Sequence, residues 1–205
     1  MSTGEIGFVF EDIISKTLSA IIGPAKQKGY TITILGEQDI RDTFNEQSLN
    51  GVDHMIDVDL SGQRTIFLLQ EKWKIMTNQR EVSQFLDCCS RILSRIHPAK
   101  RGTVHRLWVT RSQPSANGEK SLQEGGAYVI QSMTSQAVLA QITGQFICEL
   151  LGDRSLCKEM IEQVPSLITQ TVCEPVVLDD SKTAPLPVAN YKTQVKVFKG
   201  DYFLS

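Results

Sequence analysis

The 205-residue chain has no apolar run approaching the ~20 residues a helix needs to span a bilayer. Nor does its N-terminus carry a charged leader followed by a continuous apolar stretch and a small-residue cleavage site. The expectation is an intracellular location, in cytoplasm or nucleoid or nucleus, with no membrane association. Cysteine is sparse. The five present (Cys88, Cys89, Cys148, Cys157 and Cys173) are odd in number and lack C-x-x-C spacing, which argues against a disulfide framework and a structural zinc site. Reduced, mostly buried thiols are expected instead. A dominant charge is missing too: the net charge is −2, so any grip on nucleic acid must come from a local patch. Neither G-x-S-x-G nor H-E-x-x-H occurs, leaving a serine hydrolase or zinc protease without support. Asn117-Gly118-Glu119-Lys120-Ser121 lacks the spacing of a phosphate loop and is assigned no nucleotide role. No internal repeat or low-complexity tract is present.

What remains is an ordinary globular composition, long enough to bury a core without staples. Apolar side chains at Ile6, Val9, Phe10, Ile13, Leu18 and Ile21 predict an amphipathic helix over residues 5–22, interrupted or ended by Gly23-Pro24. Residues 30–35 are rich in β-branched side chains and read as a strand. The polar stretch 36–50 reads as a loop, or as a short helix around residues 41–46. Residues 52–60 alternate, with Val52, His54, Ile56, Val58 and Leu60 on one face and Asp53, Met55, Asp57 and Asp59 on the other. A turn at Ser61-Gly62-Gln63-Arg64, with Gly62 first in a II′ loop, would set Asp53 opposite Lys72 and Met55 opposite Gln70.

The next strand is apolar on both faces from Ile66 to Leu69, as in a central strand covered on two sides. Residues 79–96 form the clearest helix, with Val82, Phe85, Leu86, Cys89, Ile92, Leu93 and Ile96 on one stripe. Gln84, Arg91 and Arg95 lie on a flanking stripe. Strands are predicted over 104–110 and 127–131, a short helix before Gly125, and helices over 135–151 and 155–170. The fold class is therefore α/β, a mixed central sheet flanked by helices. Its organisation is a core over residues 1–150, a C-terminal helix over 151–171 packed on that core, and an extended tail over 172–205 with a late strand at 195–198.

Chemistry concentrates at Gly51-Val52-Asp53 and at Gln70-Glu71-Lys72. Asp53 offers a carboxylate to a hard cation, Gln70 a neutral oxygen, and Lys72 a charge beside a phosphodiester. Gln70 and Lys72 share a strand face because only alternate residues do, so Glu71 should point away. Basic residues gather downstream: Arg91, Arg95, His97, Lys100, Arg101, His105, Arg106 and Arg111, with no acid among them. They form either a phosphate-binding patch or a solvated helix end with a basic loop. His54 is expected to be a satisfied core or boundary histidine, and His97 and His105 members of a basic turn. Asp57 and Asp59 read as solvated edge acids sooner than as ligands of a second cation.

This order resembles the PD-(D/E)XK nuclease superfamily, most closely its Mrr-like type IV restriction endonuclease branch, which is similar to archaeal Holliday-junction resolvases. The resemblance covers roughly residues 5–140 and rests on Phe10-Glu11, Gly29-Tyr30, Gly51-Val52-Asp53, Gln70-x-Lys72 and Leu107-Trp108-Val109-Thr110. Gln70 stands where an acid is commoner, and the polar loop before Asp53 is longer than the compact family spacing. The resemblance implies a restriction-endonuclease-like core and a Mg²⁺-dependent, or Mn²⁺-dependent, DNA endonuclease. Asp53, Gln70 and Lys72 would be its catalytic triplet, Asp53 and Gln70 its metal ligands, and Glu11 a supporting acid. Gln84, Arg91, Arg95, Lys100, Arg101 and Arg106 would hold DNA. Cutting two strands favours a homodimer. The alternative reading is a non-catalytic nucleic-acid-binding or structural assembly protein that keeps the nuclease fold and docks a partner protein on its tail.

Overall fold

Ile66, Phe67, Leu68 and Leu69 are fully shielded from solvent because β3 (Gln63–Lys72) runs through the middle of a sheet covered on both faces. The computed structural model describes residues 3–45, 51–74, 76–131, 135–153, 155–156, 158, 196–199 and 202–203. β1 (Tyr30–Gly36), β2 (His54–Leu60) and β3 form an antiparallel meander. β4 (Thr103–Thr110) and β5 (Ala127–Gln131) then continue parallel to β3. Parallel neighbours need crossovers, and α3 (Gln79–Arg95) and α4 (Ala116–Glu124) supply them. From the tail, β6 (Lys196–Lys199) pairs antiparallel with β5, and β7 (Tyr202–Phe203) pairs with β6. The result is an α/β mixed sheet flanked by helices. Most of the helix expected over 155–170 falls outside the described residues.

Alternation along the strands divides the interior in two. Ile56, Val58, Phe67, Leu69, Leu107, Val109 and Ile130 meet α1 (Thr3–Gln27) and α5 (Gln136–Leu150), with Phe10, Ile14, Leu18, Leu139 and Ile147 as their partners. Met55, Ile66, Leu68, Trp108 and Val129 meet α3 and α4 through Val82, Phe85, Cys89, Ile92 and Leu122. Burying a side chain of this size contributes about 1.5–3 kcal/mol, so both layers are needed against chain entropy.

Four expectations are corrected. α1 does not stop at Gly23-Pro24 but continues to Gln27. The proline sits in the last turns, where it removes one backbone donor, and the complete burial of Ala25 favours continuation. Lys28 N to Ala25 O (3.0 Å) and Gly29 N to Lys26 O (3.1 Å) close the end. In the polar stretch after β1 a short helix does form, but earlier than 41–46: α2 (Glu37–Phe44) starts directly behind the strand, and residues 46–50 lie outside the described residues. Gly36 N donates to Asp39 Oδ2 at 3.3 Å, and fully buried Ile40 anchors the helix. Val52 joins Met55 on the α3 side, because β2 begins only at His54.

The fourth correction concerns register. Leu60 pairs with Gln63 and His54 with Leu69, so Ser61 and Gly62 are the two loop residues. Their φ values of 53° and 86° are those of a type I′ turn, whose twist matches the strands it joins. Asp59 Oδ1 accepts from Gly62 N at 3.0 Å and braces the turn. One step past the His54 and Leu69 pair, Asp53 meets Gln70, where the II′ expectation had it meeting Lys72.

Candidate functional site

Asp53 is delivered to the sheet by a glycine that nothing larger could replace. A Cβ on Gly51 would lie 2.6 Å from the Gln84 carbonyl oxygen and 2.9 Å from Phe85 Cα, so the chain passes flush against the α3 backbone. Val52 then plugs the core, fully buried. Asp53 N donates to Leu69 O at 2.8 Å, which continues the β2–β3 ladder and fixes the residue at its mouth. Asp53 Oδ2 accepts from Glu71 N at 2.6 Å and from the Gln70 side-chain amide. Oδ1 has no hydrogen-bond partner among the described residues.

Burial pushes the Asp53 carboxyl up to about 7, the charges of Glu71 and Glu11 add to that, and the Lys72 charge and the Glu71 N–H pull the other way. Gln70 is almost wholly buried beneath it. Lys72, two residues along the same face, is half-buried, and its charge is felt at Asp53, Glu11 and Glu81.

Glu71 turns to the opposite face. Its Oε1 lies 2.8 Å from His54 Nδ1, both side chains are buried, and Oε2 has no partner among the described residues. Burial pulls the His54 pKa down, but the charge and hydrogen bond of Glu71 outweigh it and leave it raised. Glu11 of α1 is half-buried over this pair. Desolvation, then the Glu71 charge, raises its carboxyl, with Lys72 and His54 opposing. Two polar clusters thus sit back to back at one end of the sheet: Asp53, Gln70 and Lys72 towards α3, and Glu11, His54 and Glu71 towards α1. Glu11 reaches Asp53 through charge and not contact.

No family model, curated protein or solved structure matches this chain. The geometry therefore stands alone.

The basic stretch does not assemble around the cluster. α3 runs back along the sheet, so Arg91 and Arg95 are exposed towards its far end, with Arg95 Nη1 donating to Asn45 O at 3.2 Å. Lys100 O accepts from Arg64 Nη1 at 2.5 Å beside the start of β3, and Arg101 Nε donates to Ile96 O at 2.9 Å. Arg106 Nη1 donates to Gly125 O at 3.0 Å, bracing the end of α4. At ~3.3 Å per residue, β4 alone separates Arg101 from the candidate site by more than about 20 Å. Of the proposed DNA-binding residues only Gln84, half-buried beside Gly51, lies near Asp53.

His105 is within β4, stacked on Phe67 with centroids 5.1 Å apart, and so is no member of a basic turn. Asp57 takes Arg64 in a two-pronged pair at 2.7 and 2.5 Å, and Asp59 braces the hairpin, so neither is an idle acid.

Sequence reasoning gave no individual role to Trp73 and Arg111 at the ends of β3 and β4. Arg111 N donates to Lys72 O at 3.1 Å, and its guanidinium lies 5.2 Å from the Trp73 ring centroid. The signal lies in the fold and not in the sequence, in the parallel pairing of Thr110 with Lys72. It places the next residue of the chain beside the lysine.

Among the described residues no group of three or more His, Cys, Asp and Glu side chains has a metal-holding arrangement. A Mg²⁺ site of one carboxylate and one amide oxygen, completed by water and substrate phosphate, needs no such group. Asp53 fits that role on an observation: its partly buried carboxylate keeps one oxygen with no hydrogen-bond partner among the described residues, which a hard cation can take.

Proposed function

We propose that the chain is a Mg²⁺-dependent deoxyribonuclease, an endonuclease of restriction or repair and recombination type. The observation that carries this reading is the convergence of Asp53, Gln70 and Lys72 at the ends of β2 and β3. Asp53 Oδ1 and the Gln70 amide oxygen would hold Mg²⁺ or Mn²⁺. When bound, the ion lowers the pKa of an attacking water and draws charge from the phosphate oxygens. Lys72 sets a positive charge where the phosphate becomes more negative. Glu11, with its carboxyl pushed upward by burial, can hold a proton at the α1 side of the cluster. The order of one helix, three antiparallel strands, a crossover helix and a parallel strand supports the same reading.

One observation favours the alternative of a non-catalytic nucleic-acid-binding protein: the Gln70 amide already donates to Asp53, a pairing that needs no ion. Incubating plasmid, linear, modified and branched DNA with Mg²⁺ or Mn²⁺ decides between the two. Cleavage by the parent and its loss, by about 100-fold or more, in Asp53→Ala and Lys72→Ala is the expected result. No cleavage by the parent, or equal cleavage by all three proteins, defeats the nuclease reading.

A further inference from the structure

We infer that Arg111, seated on the Trp73 ring, is the arm that grips a polynucleotide phosphate on the α1 side of the sheet end where β3 delivers Lys72; the inference rests on the nuclease reading for its substrate class only. Arg111 is exposed, yet its backbone is fixed on both sides. Its N–H extends the β3–β4 ladder by bonding Lys72 O at 3.1 Å. Just before it, Thr110 is fully buried, and its hydroxyl both donates to Ser112 O (3.0 Å) and accepts from Ser112 N (3.2 Å), turning the chain at once.

The side chain is held as well. Trp73 is half-buried, with fully buried Phe10 on it at 5.2 Å and the Arg111 guanidinium over it at 5.2 Å. An aromatic face under a guanidinium fixes the plane of the cation while leaving its N–H fork free. Arg111 has no carboxylate partner among the described residues, although Glu11 and Glu71 carry charge on the same side of the sheet end. Arg64, by contrast, is fully engaged by Asp57, and Arg106 by Gly125 O. A cation positioned in advance, exposed and with no carboxylate partner among the described residues, suits a ligand that arrives with its own negative charge. A phosphodiester is that ligand, since its oxygens match the planar fork. α3 and α4 also start at this end of the sheet, and their N-termini add a field of the same sign.

The test is binding of a labelled DNA duplex of about 30 base pairs to the full chain, in EDTA and in Ca²⁺, across a salt series, with inorganic phosphate as competitor. Arg111→Ala should weaken binding about tenfold and flatten the slope of log K against log salt by about 0.9. Trp73→Leu keeps the charge, so it should preserve the slope while weakening binding several-fold. The triple change Arg91→Ala, Arg95→Ala and Lys100→Ala at the far end should weaken binding less than Arg111→Ala does. Millimolar phosphate displacing the duplex from the parent but not from Arg111→Ala would further locate the anion. A parent that does not bind the duplex, an Arg111→Ala protein that binds with parental affinity and slope, or a larger loss in the triple variant overturns the inference. Binding that depends on Arg111 without any cleavage in Mg²⁺ would sink the nuclease reading and leave the arm standing. Cleavage with binding indifferent to Arg111 would do the reverse.

Discussion

At the scale of single residues, the ionisation of Asp53 ties function to stability. Its folded pKa of about 7 lies above the ordinary 3.8, so between those values the folded state holds a proton that the unfolded state has lost. Stability from this group is therefore complete below pH ~4 and falls as pH rises to about 7, by up to roughly 4 kcal/mol when the carboxylate is fully ionised. Asp53→Asn removes the ionisation and keeps an oxygen to accept from Glu71 N and Gln70. It should leave stability at pH 4 nearly unchanged and raise it by about 1–3 kcal/mol at pH 8, read from urea unfolding. Equal effects at both pH values would show that Asp53 is not the group that titrates. The same substitution should abolish cleavage, so a residue that costs the fold stability at neutral pH is one the proposed chemistry needs. Its neighbour shows what sequence can reveal here. That Glu71, the stronger acid, leaves the cluster while Gln70 stays is legible from strand alternation alone. The His54 partner that receives Glu71 is not, because it depends on which residues face each other across two strands.

At the scale of elements, the hairpin between β2 and β3 sets which side chain meets Asp53. Ser61 occupies the left-handed region at φ 53°, a conformation in which asparagine is several-fold better tolerated. Ser61→Asn should therefore stabilise the protein by about 0.5 kcal/mol, and Gly62→Ala, at φ 86°, should cost about 1 kcal/mol. Had the turn been II′ with Gly62 first, Ser61 would be an extended strand residue and asparagine would weaken it. Denaturant midpoints of the two variants distinguish the registers. Elements themselves were readable where one physical signal dominates, as in the apolar stripe of α3 or the doubly buried β3. Where two signals compete, sequence misleads. Pro24 opposes helix while burial of Ala25 favours it, and burial prevails at the end of α1. Ser61 is an indifferent turn former, so Gly62 draws the eye one position too far.

At the scale of the whole molecule, linear proximity and spatial proximity part company. Arg91, Arg95, Lys100, Arg101 and Arg111 are neighbours in sequence, but α3 carries the chain to one end of the sheet and β4 returns it to the other. Only Arg111 is carried back to the end of the sheet that holds Asp53 and Lys72, and no composition or charge count contains that information. The same end of the sheet gathers Asp53, Glu11 and His54, each with a raised pKa, so the folded protein binds more protons there than the unfolded chain does. A divalent cation at Asp53 competes with that bound proton. Mg²⁺ or Mn²⁺ at ten times its dissociation constant stabilises a protein by about 1.4 kcal/mol, which corresponds to a rise in melting temperature of roughly 3–6 °C at this size. The rise should be close to zero at pH 5, where Asp53 keeps its proton, and full at pH 8, where the carboxylate is free to bind the ion. Asp53→Asn should melt higher than the parent at pH 8 yet show no response to either cation. An equal rise at both pH values, or a rise that survives in Asp53→Asn, would place the cation elsewhere on the molecule. A calorimetric titration at the two pH values checks the same linkage from the binding side: the cation should displace close to one proton per ion near pH 6, and almost none at pH 8.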